Sequence, residues 1–543
     1  VISGRPYNLY DERLNLRLGQ NMAKIGLHAV PMDFLPVSAN LSPEERDETY
    51  WLYGQKILSA AALIKQHPAL RAVYLTNFGC GPDSFIAHFF KNKLQGEPYL
   101  VLEIDEHSAD TGIITRLEAF LDSLPHAPQS QHLHAAAPAR AVMNSPLTKR
   151  TLYIPRMSDH AMALVAAFAA CGVTAHVMPE SDEETLAWGR KLTSGRECYP
   201  CILTTGDIAK TVKSPGFTPD RAAFFMPSGR GPCRFGQYHR FHRQVLRELG
   251  YPDVPVFAPV QDETFYESFN GWGKQFSRLA WQGIVAVDLL IKLLLRTRPF
   301  EQYPGAAEAV YEEYLHKVCA AIAQRQALDA VLRESRKEFA AVAGKPEGIK
   351  PLVGIVGEIY IRANRFSNEQ LIKKVENLGG VVMLAPIGEW ILYTNYTAQV
   401  LCRRHQKYYQ LFKLMIKDTL QKRIERRMEK VFPDHQDNFS EPSTQEILRN
   451  AAPYLDPAFE GEAILSIGKS IDYLKRGVDG IITVMPFTCM PGTIVNAVMR
   501  RCRDDYQGFP VLNIAYDGQQ EPSTGIRLET FMHQVRTHKS PRP

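Results

Sequence analysis

The sequence contains no run of about 18 apolar residues, so no transmembrane helix is expected. No stretch has the basic, apolar and small-residue build of a secretory leader. No Gly-x-x-x-x-Gly-Lys-Ser/Thr phosphate loop occurs, so nothing in the chain announces an ATPase. Charge of one sign is scarce. A net charge of +5 over 543 residues is too little to argue for nucleic acid. Cysteine is sparse and odd in number, nine in all, which excludes a disulfide framework as the organising principle. These thiols read as reduced groups in a cytoplasm.

What is present is ordinary globular composition, with 45% hydrophobic and 22% charged residues, and enough length for two to four domains. The chain opens on Val1-Ile2-Ser3-Gly4, which reads as a strand feeding a turn, so further sequence upstream is expected.

A long-range repeat organises the chain. Gly4-Arg5-Pro6-Tyr7 closes a strand, and Ile25-Gly26-Leu27 opens the next. Gly357-Glu358-Ile359-Tyr360 closes the strand Val353–Val356, and Gly379 follows at the same spacing. Further on, Ala72–Leu75 leads to Cys80-Gly81-Pro82, as Gly480–Val484 leads to Cys489-Met490-Pro491. Pro98 through Asp105 matches Pro510 through Asp517, and Arg116–Phe120 matches Arg527–Phe531. Each copy is expected to run β-α-β-α-β-α-β. Capping boxes are predicted at Ser42-Pro43-Glu44-Glu45, Ser181–Glu184 and Ser367–Gln370. The strands are short apolar runs without alternation, the pattern of parallel strands covered on both faces. The fold class predicted is α/β, with tandem doubly wound parallel-sheet half-units, Rossmann- or flavodoxin-like, and helical insertions.

The expected domains are a C-terminal half-unit at 1–125, a linker at 126–148, an N-terminal half-unit with a helical extension at 149–345, and a second C-terminal half-unit at 350–543. The linker is rich in Pro, Ala, His and Ser. Strands of the middle region are predicted at Thr151–Ile154, Thr174–Val177, Ala222–Met226 and Val254–Phe257. Residues 270–345 and roughly 395–450 read as helical. The N-terminal partner of the first half-unit is missing from the sequence, a second reason to expect more chain upstream.

Ligands of open parallel sheets gather outside the carboxyl ends of the strands. Cys80, Cys233 and Cys489 each fall in a Gly- and Pro-rich loop soon after such a strand. Cys198 and Cys201 form a Cys-x-x-Cys before a helix, where a thiolate is favoured. Alone, these patterns are compatible with an iron–sulfur cluster, zinc or thiol redox chemistry. Zinc usually takes paired ligand motifs, and no second Cys-x-x-Cys or His-x-x-x-His is present. Cys171, Cys319, Cys402 and Cys502 lie in or at the ends of helical patterns and read as small core hydrophobes.

The repeat and its loops resemble the 2-hydroxyacyl-CoA dehydratase superfamily, specifically its large activase-related proteins. The segments that carry the resemblance are Gly4–Tyr7, Thr76–Phe85, Glu103–Phe120, Gly195–Asp207, Gly231–Tyr238, Gly357–Asn368 and Pro486–Thr493. The resemblance implies a [4Fe-4S] cluster held by three cysteines per unit. These would be Cys198, Cys233 and Cys489 in the complete unit, with Cys80 in the third position of the incomplete one. Cys201 has no place in a three-cysteine pattern and is an extra ligand or a spectator. Double-cubane proteins of the superfamily use more cysteines per unit than occur here.

The resemblance also implies a partner, an ATP-hydrolysing activase in upstream sequence or another chain, which delivers a low-potential electron. ATP enters only through that partner. The reaction would be a reduction, or a radical dehydration, of a CoA thioester or other small molecule. A non-catalytic electron-transfer or scaffold role is an alternative, because no catalytic acid or base is identifiable, and a double-cubane-type reductase is another. Neither nucleic acid nor a membrane is implied. Glu358, Arg362 and Asn364, at a strand end, are candidate substrate contacts or a solvated turn. The basic helix around Lys417–Lys430 reads as a solvated face rather than a contact for CoA phosphates.

Overall fold

The computed structural model describes residues 1–37, 41–77, 79–124, 147–260, 273–345, 348–432, 440–519 and 521–538. Most of the expected linker therefore lies outside the described residues. The chain forms two compact units, Val1–Arg140 and Ala141–Pro543. Both are α/β, and every strand pairing within their sheets is parallel. No helix among the described residues is long and apolar enough to cross a membrane.

In the first unit, β1 (Ile2–Gly4), β2 (Ala72–Asn77) and β3 (Tyr99–Ile104) form a sheet in that order. The fourth strand expected after Gly26 does not form. It shrinks to one bridge between Ile2 and Pro31. Pro31 has no N–H to extend the ladder.

The second unit carries two four-stranded sheets. One contains β4 (Thr151–Ile154), β5 (Ala175–Val177), β6 (Ala222–Phe225) and β7 (Val256–Phe257), in the order β5-β4-β6-β7. The other contains β8 (Leu352–Gly357), β9 (Val381–Leu384), β10 (Gly480–Pro486) and β11 (Val511–Tyr516), in the order β11-β10-β8-β9. Neighbouring residues of β10 enter different cores. Ile481 packs with Ile464, Ile471 and Met499, while Ile482 packs with Leu528, Phe531 and Met532. Both faces are buried, which is why these strands read as unbroken apolar runs.

The repeat holds down to single hydrogen bonds. Gly4 pairs with Leu75 in the first unit as Gly357 pairs with Val484 in the second. Leu16 and Arg17 take left-handed backbone conformations, as do Glu369 and Gln370. Asn15 and Asn368 each accept from an amide three residues on, those of Leu18 and Leu371. Arg116 donates to the carbonyl of Val101, and Arg527 to that of Asn513. Asp105 and Asp517 each accept an amide two residues ahead.

Two predicted capping boxes are corrected. Ser42 and Glu45 form the reciprocal box. At Ser181–Glu184, however, the cap is Asp182, which accepts from Thr185 N, while Ser181 is turned to Asp207. Ser367 caps nothing. Its hydroxyl returns to the carbonyl of Asn364, and the helix starts only at Leu371, after the left-handed pair.

Candidate functional site

Three cysteines of the second unit occupy one structural role on three separate elements. Cys198 is the N-cap of the helix Tyr199–Lys213. Cys233, beyond the end of β6, caps the short turn Arg234–Gln237 that runs into the helix Tyr238–Glu248. Cys489, beyond the end of β10, caps the helix Met490–Asp505. Each N-cap is extended. Pro200 and Pro491, in the first turns of two of these helices, fit positions where no intrahelical N–H bond is needed. Partial positive charge at each helix start favours the thiolate.

Arg234 joins the three loops. Its guanidinium donates to the carbonyl of Arg196 at 3.2 Å, two residues before Cys198. It also donates to the carbonyl of Thr488 at 3.1 Å and to its hydroxyl at 3.2 Å, one residue before Cys489. Burial pulls the Arg234 guanidinium toward neutrality, but the groups of Cys198, Tyr238, Cys489 and Cys233 more than offset this and favour its charged form. Burial pushes the Cys198 thiol up, while Arg234 and a hydrogen bond with Tyr238 pull it down. Burial also raises Cys233 and Cys489, reinforced by Glu462 in the first case and by Cys233 and Glu462 in the second.

Cys201 lies in the first turn of the Cys198 helix, fully buried. Burial, then Cys198 and Glu197, raise its thiol well above the ordinary value. In the first unit, Cys80 lies 3.7 Å from the hydroxyl of Tyr7. Its neighbours there are Asp83 and Arg5, which pair at 3.0 Å. Cys402 and Cys502 are buried within helices, and Cys171 and Cys319 are half-buried at the end of one helix and inside another.

A small pocket adjoins Cys489 and is lined by Glu358, Glu462, Ser466, Met485 and Asn496 among others. Glu358 accepts from the amide of Ile361, and Glu462 from that of Ile359. Burial raises both carboxyls above the ordinary range, and Glu462 pushes Glu358 further. Two buried carboxyls whose charged forms are disfavoured thus line the pocket beside Cys489.

Arg362 is buried and donates to the carbonyls of Gly357 and Pro386. Asn364 donates to the carbonyl of Arg156 and accepts from Ser367 N. Of the three candidate contacts at this strand end, Glu358 lines the pocket, and the other two tie backbone segments together.

No protein-family model matches this chain, and no curated protein matches it. Among the described residues, no three or more His, Cys, Asp or Glu side chains are arranged to hold a single metal ion. A [4Fe-4S] cube takes each cysteine on a different iron, so its ligands stand further apart than those of one ion. Three N-cap cysteines whose groups all act on one buried guanidinium supply the sulfur donors such a group takes.

Sequence reasoning missed Arg234, Tyr238, Thr488 and Glu462. Arg234 and Thr488 adjoin cysteines, but nothing in their spacing says that they meet. Glu462 follows Gly461 at the head of an apolar helix, and its approach to Ile359, beside Glu358, depends on tertiary packing.

A larger pocket lies beyond the ends of β4 and β9 and is lined by Asp159, His160, Lys292, Arg365 and Lys373 among others. Its cations are already paired: Arg365 with Asp159 at 2.9 Å, Lys292 with Glu441 at 2.5 Å, and Lys373 with Glu308 at 3.8 Å. The basic helix Tyr408–Glu429 buries Leu414, Gln421 and Met428, while Arg427 pairs with Asp329.

Proposed function

We propose that the second unit is a cluster-binding, doubly wound unit of the 2-hydroxyacyl-CoA dehydratase type, with Cys198, Cys233 and Cys489 as ligands to a [4Fe-4S] cluster. The observation that carries this is the Arg234 fork, which ties the Cys198 and Cys489 loops to the Cys233 loop. The strand order adds support. The chain passes from β8 to β9 on one side and resumes at β10 on the other. The crevice at such a reversal is where open parallel sheets bind ligands.

When bound, the cluster supplies one-electron chemistry and an iron without a protein ligand that can polarise a substrate oxygen. The chain's own part is to hold thiolates at helix starts, exclude water, and hold the Glu358 and Glu462 carboxyls beside Cys489. Two buried carboxyls beside Cys489 are acid–base groups of the kind a reductase or lyase uses and a simple electron carrier does not need, which favours an enzyme. Electrons come from an ATP-hydrolysing partner.

Anaerobic purification with iron, sulfide and zinc analysis and EPR tests this reading. The expected result is iron and acid-labile sulfide in equal amounts, with an EPR signal on reduction. Stoichiometric zinc, or iron that survives loss of all three cysteines, would overturn it.

A further inference from the structure

Cys198, Cys233 and Cys489 sit on three elements far apart in sequence, so their loops need a device that holds them in register. Arg234 is almost fully buried, at 7% exposure. The three bonds it makes to Arg196 and Thr488 end on two backbone carbonyls and a hydroxyl, which fix the orientation of the guanidinium.

The backbone supplies an independent sign. Thr488 takes a φ of +63°, a conformation that β-branched residues rarely adopt. At the matching position before Cys80, the first unit has Gly79, with a φ of +72°. Glycine takes this conformation freely. Thr488 is held in it with both its carbonyl and its hydroxyl engaged by Arg234.

We propose that Arg234 is the positioning residue of this centre: it staples the Cys198 and Cys489 loops to the Cys233 loop and provides the counter-charge for the cluster. This rests on the cluster reading above. A reduced cluster carries one more negative charge than the oxidised one, so a fixed cation beside it stabilises the reduced state and raises the potential.

The test compares Arg234→Gln and Arg234→Lys with the wild type, all as full chain purified anaerobically. Iron and sulfide content, an EPR-monitored redox titration, and maleimide labelling of the cluster-free protein followed by mass spectrometry are the readouts. The Gln variant should lose iron and shift the remaining cluster to a more negative potential. The Lys variant keeps the charge but loses the three-acceptor fork, so its potential should stay near wild type while its iron falls. In both variants, Cys198 and Cys489 should label faster, with Cys402 unchanged as the internal reference.

Wild-type potential and labelling rates in the Gln variant would overturn the proposal. A wild type without iron and sulfide would sink the cluster reading instead, and the labelling rates would still decide the staple. If the Gln variant fails to fold, Thr488→Val removes only the hydroxyl acceptor. Faster labelling of Cys489 in that variant supports the staple, and an unchanged rate refutes it.

Discussion

Gly357 lies so close to Val484 that a methyl group on its Cα would come within 2.1 Å of the Val484 carbonyl oxygen. The same contact recurs in the first unit, where a Cβ on Gly4 would meet the Leu75 carbonyl at 2.6 Å. Gly357 also has a φ of +114° as the chain leaves β8 for Glu358. A close approach and a left-handed backbone thus coincide where the site begins.

Gly357→Ala should therefore cost on the order of 3 kcal/mol or more, combining a backbone clash with strain. Gly112→Ala is the control. No atom lies within 4 Å of its Cβ position in the helix Asp110–Ser123, and there alanine should be neutral or stabilise by up to about 1 kcal/mol. Denaturant unfolding of both variants checks this. Equal effects would show that the close approach at Gly357 can relax.

The nine cysteines should divide sharply. Replacing Cys198, Cys233 or Cys489 by Ser should abolish or severely deplete iron in the second unit. Replacing Cys171, Cys319, Cys402 or Cys502 should leave iron near normal and cost about 1 kcal/mol, the scale of a small core change. Cys80 should be silent in this chain. Cys201 is expected to sit next to the cluster rather than bind it, so Cys201→Ser should retain iron. Metal analysis of anaerobically purified single variants decides each case.

Asp207, in the Cys198 helix, gives a pH signature. Burial raises its carboxyl to about 7 despite hydrogen bonds from Ser181. The folded state then binds more protons than the unfolded state between about pH 4 and pH 7, so this residue makes stability fall as pH rises through that window. Crossing the whole window costs about 4 kcal/mol, to order of magnitude. Asp207→Asn should flatten the slope in pH-dependent urea unfolding. A slope as steep as the wild type's would mean that Asp207 ionises freely in the fold.

Lys469 is fully buried among Glu441, Glu389 and Asp472. Lys469→Met would strand those carboxylates, and losing one partner of a buried ion cluster costs about 3–5 kcal/mol. The penalty should shrink as pH falls through the ordinary Glu range, where Glu389 and Glu441, left without the cation, take up protons. Melting curves at neutral and acid pH would show this as converging Tm values for variant and wild type.

Much of this architecture follows from the sequence alone. Apolar runs without alternation, Gly at fixed spacings, and strand-to-cysteine intervals repeated in both halves predict parallel sheets and place Cys80 and Cys489 at equivalent strand ends. Local rules also predict the Ser42 cap and the helix that follows Cys198. They fail at Ser367, where two left-handed residues delay the helix, and at Gly26, where Pro31 withholds the donor a fourth strand needs.

What only the tertiary structure decides is which side chains meet. Arg234 reaches Thr488 across 254 residues, and Glu462 accepts from the amide of Ile359, next to Glu358, across 103. Periodicity and capping act over a few residues and leave a trace in the local sequence. Hydrogen bonds between separate elements depend on how the sheets pack, and no local pattern encodes that distance.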